Sequence, residues 1–123
     1  MARYPGLTLR ILAEKHPAMG PGKARLVAAI DATGSISAAA RSMSMSYRRA
    51  WQLVEALNES FSQQVVVTAT GGKRGGGASV TAFGRNLIRR YRAMEDKASG
   101  AIARDLQLFL RHLKRRPPAR GSR

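Results

Sequence analysis

The residues best suited to chemistry form two small groups, and both suit the binding of a polyanion. Ser44, Ser46, Tyr47, Arg48, Arg49 and Gln52 lie within nine consecutive positions. Arg48 and Arg49 can each fork two N–H donors onto guanine O6 and N7, and Gln52 can pair with N6 and N7 of adenine. The hydroxyls of Ser44, Ser46 and Tyr47 can donate to phosphate oxygens. The second group is Lys73 and Arg74, set between Gly71-Gly72 and Gly75-Gly76-Gly77. A glycine backbone approaches a phosphate without side-chain obstruction, and two cations at such a tip can reach it. The plainer alternatives are a solvated helix face for the first group and a flexible linker for the second.

Other chemistries are not provided for. Cysteine is absent, which excludes disulfides, thiolate metal ligands and cysteine nucleophiles. His16 and His112 lack metal-ligand spacing. The seven carboxylates form no pair beyond Glu95-Asp96, which are adjacent in a helix and face different directions. The glycine cluster departs from the phosphate-loop pattern, since no Ser or Thr follows a Gly-Lys and a strand comes next. No enzyme activity, cofactor or metal is expected.

Composition points the same way. The net charge is +15, from 22 Lys/Arg against 7 Asp/Glu. A compact chain so charged repels itself unless a polyanion neutralises it. Arginine outnumbers lysine 17 to 5, which favours bidentate recognition of phosphates and base edges over simple point-charge attraction. Nucleic acid is therefore the leading partner, ahead of an anionic membrane or a merely solvating surface. No apolar run has transmembrane length and the N-terminus does not read as a signal peptide, so a cytoplasmic location is expected.

The elements that position these groups follow from local pattern. Leu7 to Ile11 alternates as a half-buried strand and is expected to pair with the Val-rich run at 65–70. Residues 16–22, with two Pro and two Gly, read as loop. A first helix is predicted from Pro21 to Thr33, stopped by Gly34. A second should cover Ala38 to Met43 with Ser37 as N-cap, and Ser44 should sit in the turn that follows. A third begins at its cap Ser46, with Met45 stapled onto Ala50. Projected at about 100° per residue, Tyr47, Ala50, Trp51, Val54, Leu57 and Phe61 fall on one side. Tyr47 and Trp51 are accordingly expected to pack in the core, with stacking on each other or on the wing as the alternative. Arg48, Arg49, Gln52, Glu55 and Glu59 fall opposite. The exposed face is thus basic at its start and acidic at its end, as suits a helix whose N-terminal end alone enters a groove.

Val65 to Thr70 and Ala78 to Thr81 read as two strands joined by the glycine loop. Thr81 should cap a fourth helix carrying Phe83, Leu87, Tyr91, Met94 and Ala98 on one face. Residues 101–113 continue the apolar phase, leaving open whether Ser99-Gly100 breaks the helix. Residues 114–123 read as a disordered basic tail ended from the helix by Pro117-Pro118.

Gly34-Ser35-Ile36-Ser37, Ala39-Ala40, Met45 through Trp51, Leu57-Asn58, Gly71 through Ala78, Thr81, Gly84 and Leu87-Ile88 occur here in an order and spacing that resembles the N-terminal DNA-binding domain of ModE-type molybdate-responsive regulators. The likeness covers roughly residues 7–95. Its specific part is Ser-Tyr-basic-x-Ala-Trp followed by the glycine-rich wing. The resemblance implies a dimer that binds an operator through the third helix and the wing and controls molybdate uptake or molybdoenzyme genes. It further implies dimerisation through the first and last helices, with the N-terminal strand joining the wing sheet. Ser44 stands where that family commonly has Gly. Full-length members also carry molybdate-binding Mop-type domains. These are not expected in this sequence, so molybdate is not expected to bind this chain.

The expected architecture is mainly α with a small β wing: a winged helix-turn-helix over 7–98, a helical dimerisation extension over 99–113 and the tail at 114–123. The expected function is sequence-specific binding of double-stranded DNA as a homodimer, without a membrane partner. Two alternatives stay open: an architectural protein coating DNA with little sequence preference, and a helical module that partners a separate sensor.

Overall fold

The computed structural model describes residues 6–69 and 77–114. Its elements run β1 (Ile11–Leu12), β2 (Pro17–Met19), α1 (Pro21–Thr33), α2 (Ile36–Ser42), α3 (Tyr47–Ser60), β3 (Val66–Ala69), β4 (Gly77–Val80), α4 (Ala82–Ala101) and α5 (Ala103–Leu110). The architecture is mainly α, with β3 and β4 forming the antiparallel base of a wing.

Each helix boundary has a local cause. Pro21 occupies the first turn of α1, and Gly34 ends it in the left-handed conformation (φ 73°) while its N–H donates to the Ile30 carbonyl at 2.7 Å. Ser46 caps α3 by accepting the Arg49 N–H at 3.0 Å, and Thr81 caps α4 by accepting the Gly84 N–H at 2.9 Å. Each such cap is worth about 1 kcal/mol. The second helix starts earlier than the sequence suggests: Ser35, not Ser37, is the cap, accepting the Ala38 N–H at 3.0 Å. Starting there brings Ile36 into the helical period, so that Ile36, Ala39 and Ala40 share the buried face.

The core is built from Leu26, Val27 and Ile30 of α1, Ala39 and Ala40 of α2, Ala50, Val54 and Leu57 of α3, the valines of the wing base, and Tyr91 of α4. Full burial of each valine, leucine or isoleucine side chain stabilises the fold by about 1.5–3 kcal/mol. Ala39 and Ala50 are wholly buried; such small side chains allow α2 and α3 to cross closely. Met45 lies partly buried against this core, as a staple at the start of α3 should.

The N-terminal strand departs from expectation. It is only Ile11–Leu12 and pairs with Pro17–Met19, inside the segment read as loop, rather than with the wing. Closing so short a hairpin costs less chain entropy than pairing across fifty residues, and Ala13 N–H to His16 carbonyl (2.9 Å) completes the turn. Burial of Ala18 and Met19 holds β2 in place. The stretch before β1 is tied to α4 instead, through a 2.7 Å hydrogen bond from the Tyr91 hydroxyl to the Leu9 carbonyl. Burial and the nearby Glu95 charge push the Tyr91 hydroxyl up to about 12, so it remains a donor.

The wing base pairs Val66 with Val80 and Ala69 with Gly77. Ala78 N–H reaches the Gly34 carbonyl at 3.0 Å, linking β4 to the end of α1. At the other end, α4 continues through Ser99 and Gly100, and Ile102 (φ −111°, ψ 14°) separates it from α5.

Gly84 is the tightest point. A Cβ added there would lie 2.5 Å from the Val65 carbonyl oxygen and 2.9 Å from Val80 Cγ1. Gly84→Ala should therefore lower stability by about 1–3 kcal/mol, read as a shifted urea midpoint with an unchanged slope.

Candidate nucleic-acid interface

The candidate group at the head of α3 is assembled by one turn and one cap. Met43 ends α2, and Ser44 enters the left-handed region (φ 56°), the one non-glycine residue to do so among the described residues. That reversal, secured by Met45 N–H to the Ala40 carbonyl at 3.0 Å, delivers Ser46 to the head of α3. Ser44, Ser46, Tyr47, Arg48, Arg49 and Gln52 all come to the surface there. Ser46 spends its oxygen on the Arg49 N–H, so capping occupies that acceptor and leaves its hydroxyl proton available. Glu55 and Glu59 are also exposed, toward the far end of the same helix. Among the described residues the one ion pair is Arg85–Asp31 at 4.0 Å, far in sequence from α3, so no acid is paired with Arg48 or Arg49 there.

Tyr47 is not in the core: it is 53% exposed, whereas Trp51 is partly buried against the core. Helical side chains lean toward the N-terminus, so a first-turn residue projects past the core that begins at Ala50. The two rings meet edge to face with centroids 6.3 Å apart, and Trp51 Nε1 donates to the Tyr47 hydroxyl oxygen. The tyrosine thereby presents its hydroxyl proton at the helix tip.

The wing is positioned by Asn58, in the last turns of α3. Its Oδ1 accepts the Val65 N–H at 2.7 Å and the Val66 N–H at 3.2 Å, and its Nδ2 donates to the Val66 carbonyl at 2.9 Å. Thr81 fastens the opposite strand, its hydroxyl donating to the Gln64 carbonyl at 2.6 Å. The wing base is therefore registered directly on α3. Lys73 and Arg74 lie outside the described residues.

Beside the exposed face, Arg49 and Gln52 line a cavity of about 440 Å³ together with Arg10, His16 and Lys23. Lys23 donates from Nζ to the Pro17 carbonyl at 2.7 Å. Burial, and secondly the Arg49 charge, hold its pKa below the ordinary lysine value. Residue spacing gives no signal for this grouping, because it joins three separate segments. Asn58 did carry one: a residue that competes for backbone hydrogen bonds, placed late in an apolar-faced helix.

Residues 22–85 match the family described as bacterial regulatory helix-turn-helix protein, lysR family, which spans α1 to the start of α4. The chain belongs to this family. It is 44% identical over 99 residues to the molybdenum-pterin-binding protein MopB of Rhodobacter capsulatus, covering 80% of this chain and 35% of that protein. It is 35% identical over 96 residues to the DNA-binding transcriptional dual regulator ModE of Escherichia coli K12, covering 76% and 37%. The chain thus spans about a third of the length of these relatives. Among solved structures it is similar to the full-length LysR-type regulator LysG of Corynebacterium glutamicum (TM-score 0.52, 24% identity, 77% of this chain and 30% of that one), a likeness of fold. The resemblance to ModE-type regulators is borne out, and the domain is a DNA-binding helix-turn-helix of that type.

The turn before α3 places its backbone strain on Ser44. Left-handed backbone costs a residue with a Cβ about 1–2 kcal/mol, partly offset by the greater unfolded-state freedom of glycine. Ser44→Gly should raise stability by up to about 1 kcal/mol, read from a thermal or urea melt. Asn58→Ala should do the reverse. Leaving the Val65 and Val66 N–H groups without their acceptor should cost about 2–3 kcal/mol, and amide exchange at those two positions should speed up.

Proposed function

We propose that the chain binds operator DNA as a homodimer, with α3 in the major groove and Lys73 and Arg74 on the adjacent backbone or minor groove. The observation that carries this is the surface at the head of α3: Arg48, Arg49 and Gln52 are exposed together, and no acid pairs with them among the described residues. Arg48, Arg49 and Gln52 would read base edges, and Ser44, Ser46 and Tyr47 would hold phosphates. The positive end of the α3 dipole adds to the attraction for phosphate.

A second copy is supported by α5, which has no buried residue yet exposes Leu108 (49%), Phe109 (68%) and, just beyond, Leu113 (56%). An amphipathic helix with its apolar face uncovered needs a partner surface. Met94 on α4 is likewise exposed, at 43%. The regulated genes are proposed to concern molybdenum, since the relatives include the molybdenum transport protein ModE of Azotobacter vinelandii. Molybdate itself is not proposed as a ligand of these residues.

Selection from random-sequence DNA tests the role. The expected product is an inverted repeat with half-sites about 34 Å apart, or a multiple of that. Arg48→Ala should cost about 1–3 kcal/mol and relax preference at one base position, whereas Lys73→Ala should weaken binding across all sequences and reduce the salt slope by about one. Failure to enrich any sequence would sink operator recognition in favour of a low-specificity DNA coat.

A further inference from the structure

We infer that the cavity beside α3 is an anion seat that holds a backbone phosphate of the bound duplex, resting on the DNA-binding role proposed above. Four side chains able to donate to an oxyanion, Arg10, His16, Lys23 and Arg49, converge on it from the N-terminal hairpin, α1 and α3. Among the described residues no carboxylate lines it. A volume of about 440 Å³ admits a phosphodiester with part of its sugars.

Lys23 is held ready for such a ligand. Its hydrogen bond to Pro17 fixes the ammonium in place and leaves two protons undirected. Arg49 stands close enough to depress its pKa, a like-charge repulsion that an anion between the two would relieve. Arg10 lies over the start of α1, its Cγ 3.4 Å from where a Gly20 Cβ would be. The α1 terminus adds to the positive field, having neither a side-chain cap nor an acid in its first turn.

Position selects the source of the phosphate. Arg49 belongs to both the cavity and the exposed face of α3, so an anion seated here lies at the edge of the groove that α3 would enter. Phosphates flank a reading helix on such edges, and contacts to them fix its register without reading sequence. Free inorganic phosphate has the same chemistry and is the other source to be distinguished.

The test uses Lys23→Gln and Arg10→Gln in the full chain, the second at an exposed side chain whose loss leaves folding intact. Binding to the selected duplex is measured against salt, and the duplex is then scanned with single methylphosphonates. Each variant should flatten the slope of log K against log salt by about 0.9 per protomer bound and keep the same base preference. One methylphosphonate in each half-site should weaken the wild type and leave the variants unaffected. Specific binding by the wild type with slopes unchanged in both variants would overturn the phosphate seat and leave the DNA-binding role standing. A wild type that binds no duplex would overturn that role. In that case, titration with inorganic phosphate decides the cavity through the amide signals of Gly22 and Lys23. A saturable shift lost in Lys23→Gln would assign the seat to a free anion, and no shift would overturn it.

Discussion

The side-chain amide of Asn58 is the contact on which the geometry of the interface depends. One residue in the last turns of α3 satisfies two N–H groups and one carbonyl at the start of β3. Because the amide is planar, these bonds fix direction as well as distance. They place the base of the wing on the helix that carries Arg48, Arg49 and Gln52. Apolar packing by itself would not do this, since Val65 and Val66 could slide against Leu57 with little change in buried area. Thr81 and Gly84 complete the joint: the threonine hydroxyl holds the chain before β3, and the missing side chain lets α4 approach the Val65 carbonyl.

With position set from the far end of α3, its near end is released from structural work. The cap comes from Ser46 and the first core residue is Ala50, so three consecutive side chains, Tyr47, Arg48 and Arg49, project freely. Even the tyrosine is arranged to expose a hydroxyl rather than to fill the core, while Trp51 packs partly against that core. The cost is concentrated in the turn, where Ser44 adopts a left-handed backbone, and in uncompensated charge. Among the described residues a single half-exposed ion pair at 4.0 Å does little against +15. Stability therefore rests on the apolar core and the caps, which leaves the cations to the surface.

Most of the helical frame was legible in the residues. Pro21, Gly34, Ser46 and Thr81 act within one turn of themselves, so their effect does not depend on distant partners. The same holds for the β-branched runs that form the wing base. Failures came where two local solutions competed or where distant segments decided. Ser35 and Ser37 are both plausible caps, and the burial of Ile36 chooses between them. Leu7 to Ile11 alternates like a strand, but Tyr91, eighty-two positions after Leu9, holds that stretch against α4. Angular projection placed Tyr47 inside because it ignores the lean of a side chain off the end of a helix. The cavity of Arg10, His16 and Lys23 follows from no spacing at all, since only the folded chain brings those segments to Arg49.

The exposed apolar face of α5 and the charge of the domain pose one energetic problem. In the proposed dimer each protomer brings +15, so association must overcome repulsion that apolar burial at Phe109 and Leu113 offsets only in part. Bound DNA neutralises part of that charge and removes part of the repulsion. Dimerisation and DNA binding then favour each other, and the coupling is reciprocal. Such coupling weakens as salt rises, because screening reduces both the repulsion between protomers and the attraction to phosphate. In the proposed dimer the two copies would be held together most firmly on DNA, where two sets of α3 side chains would act as one.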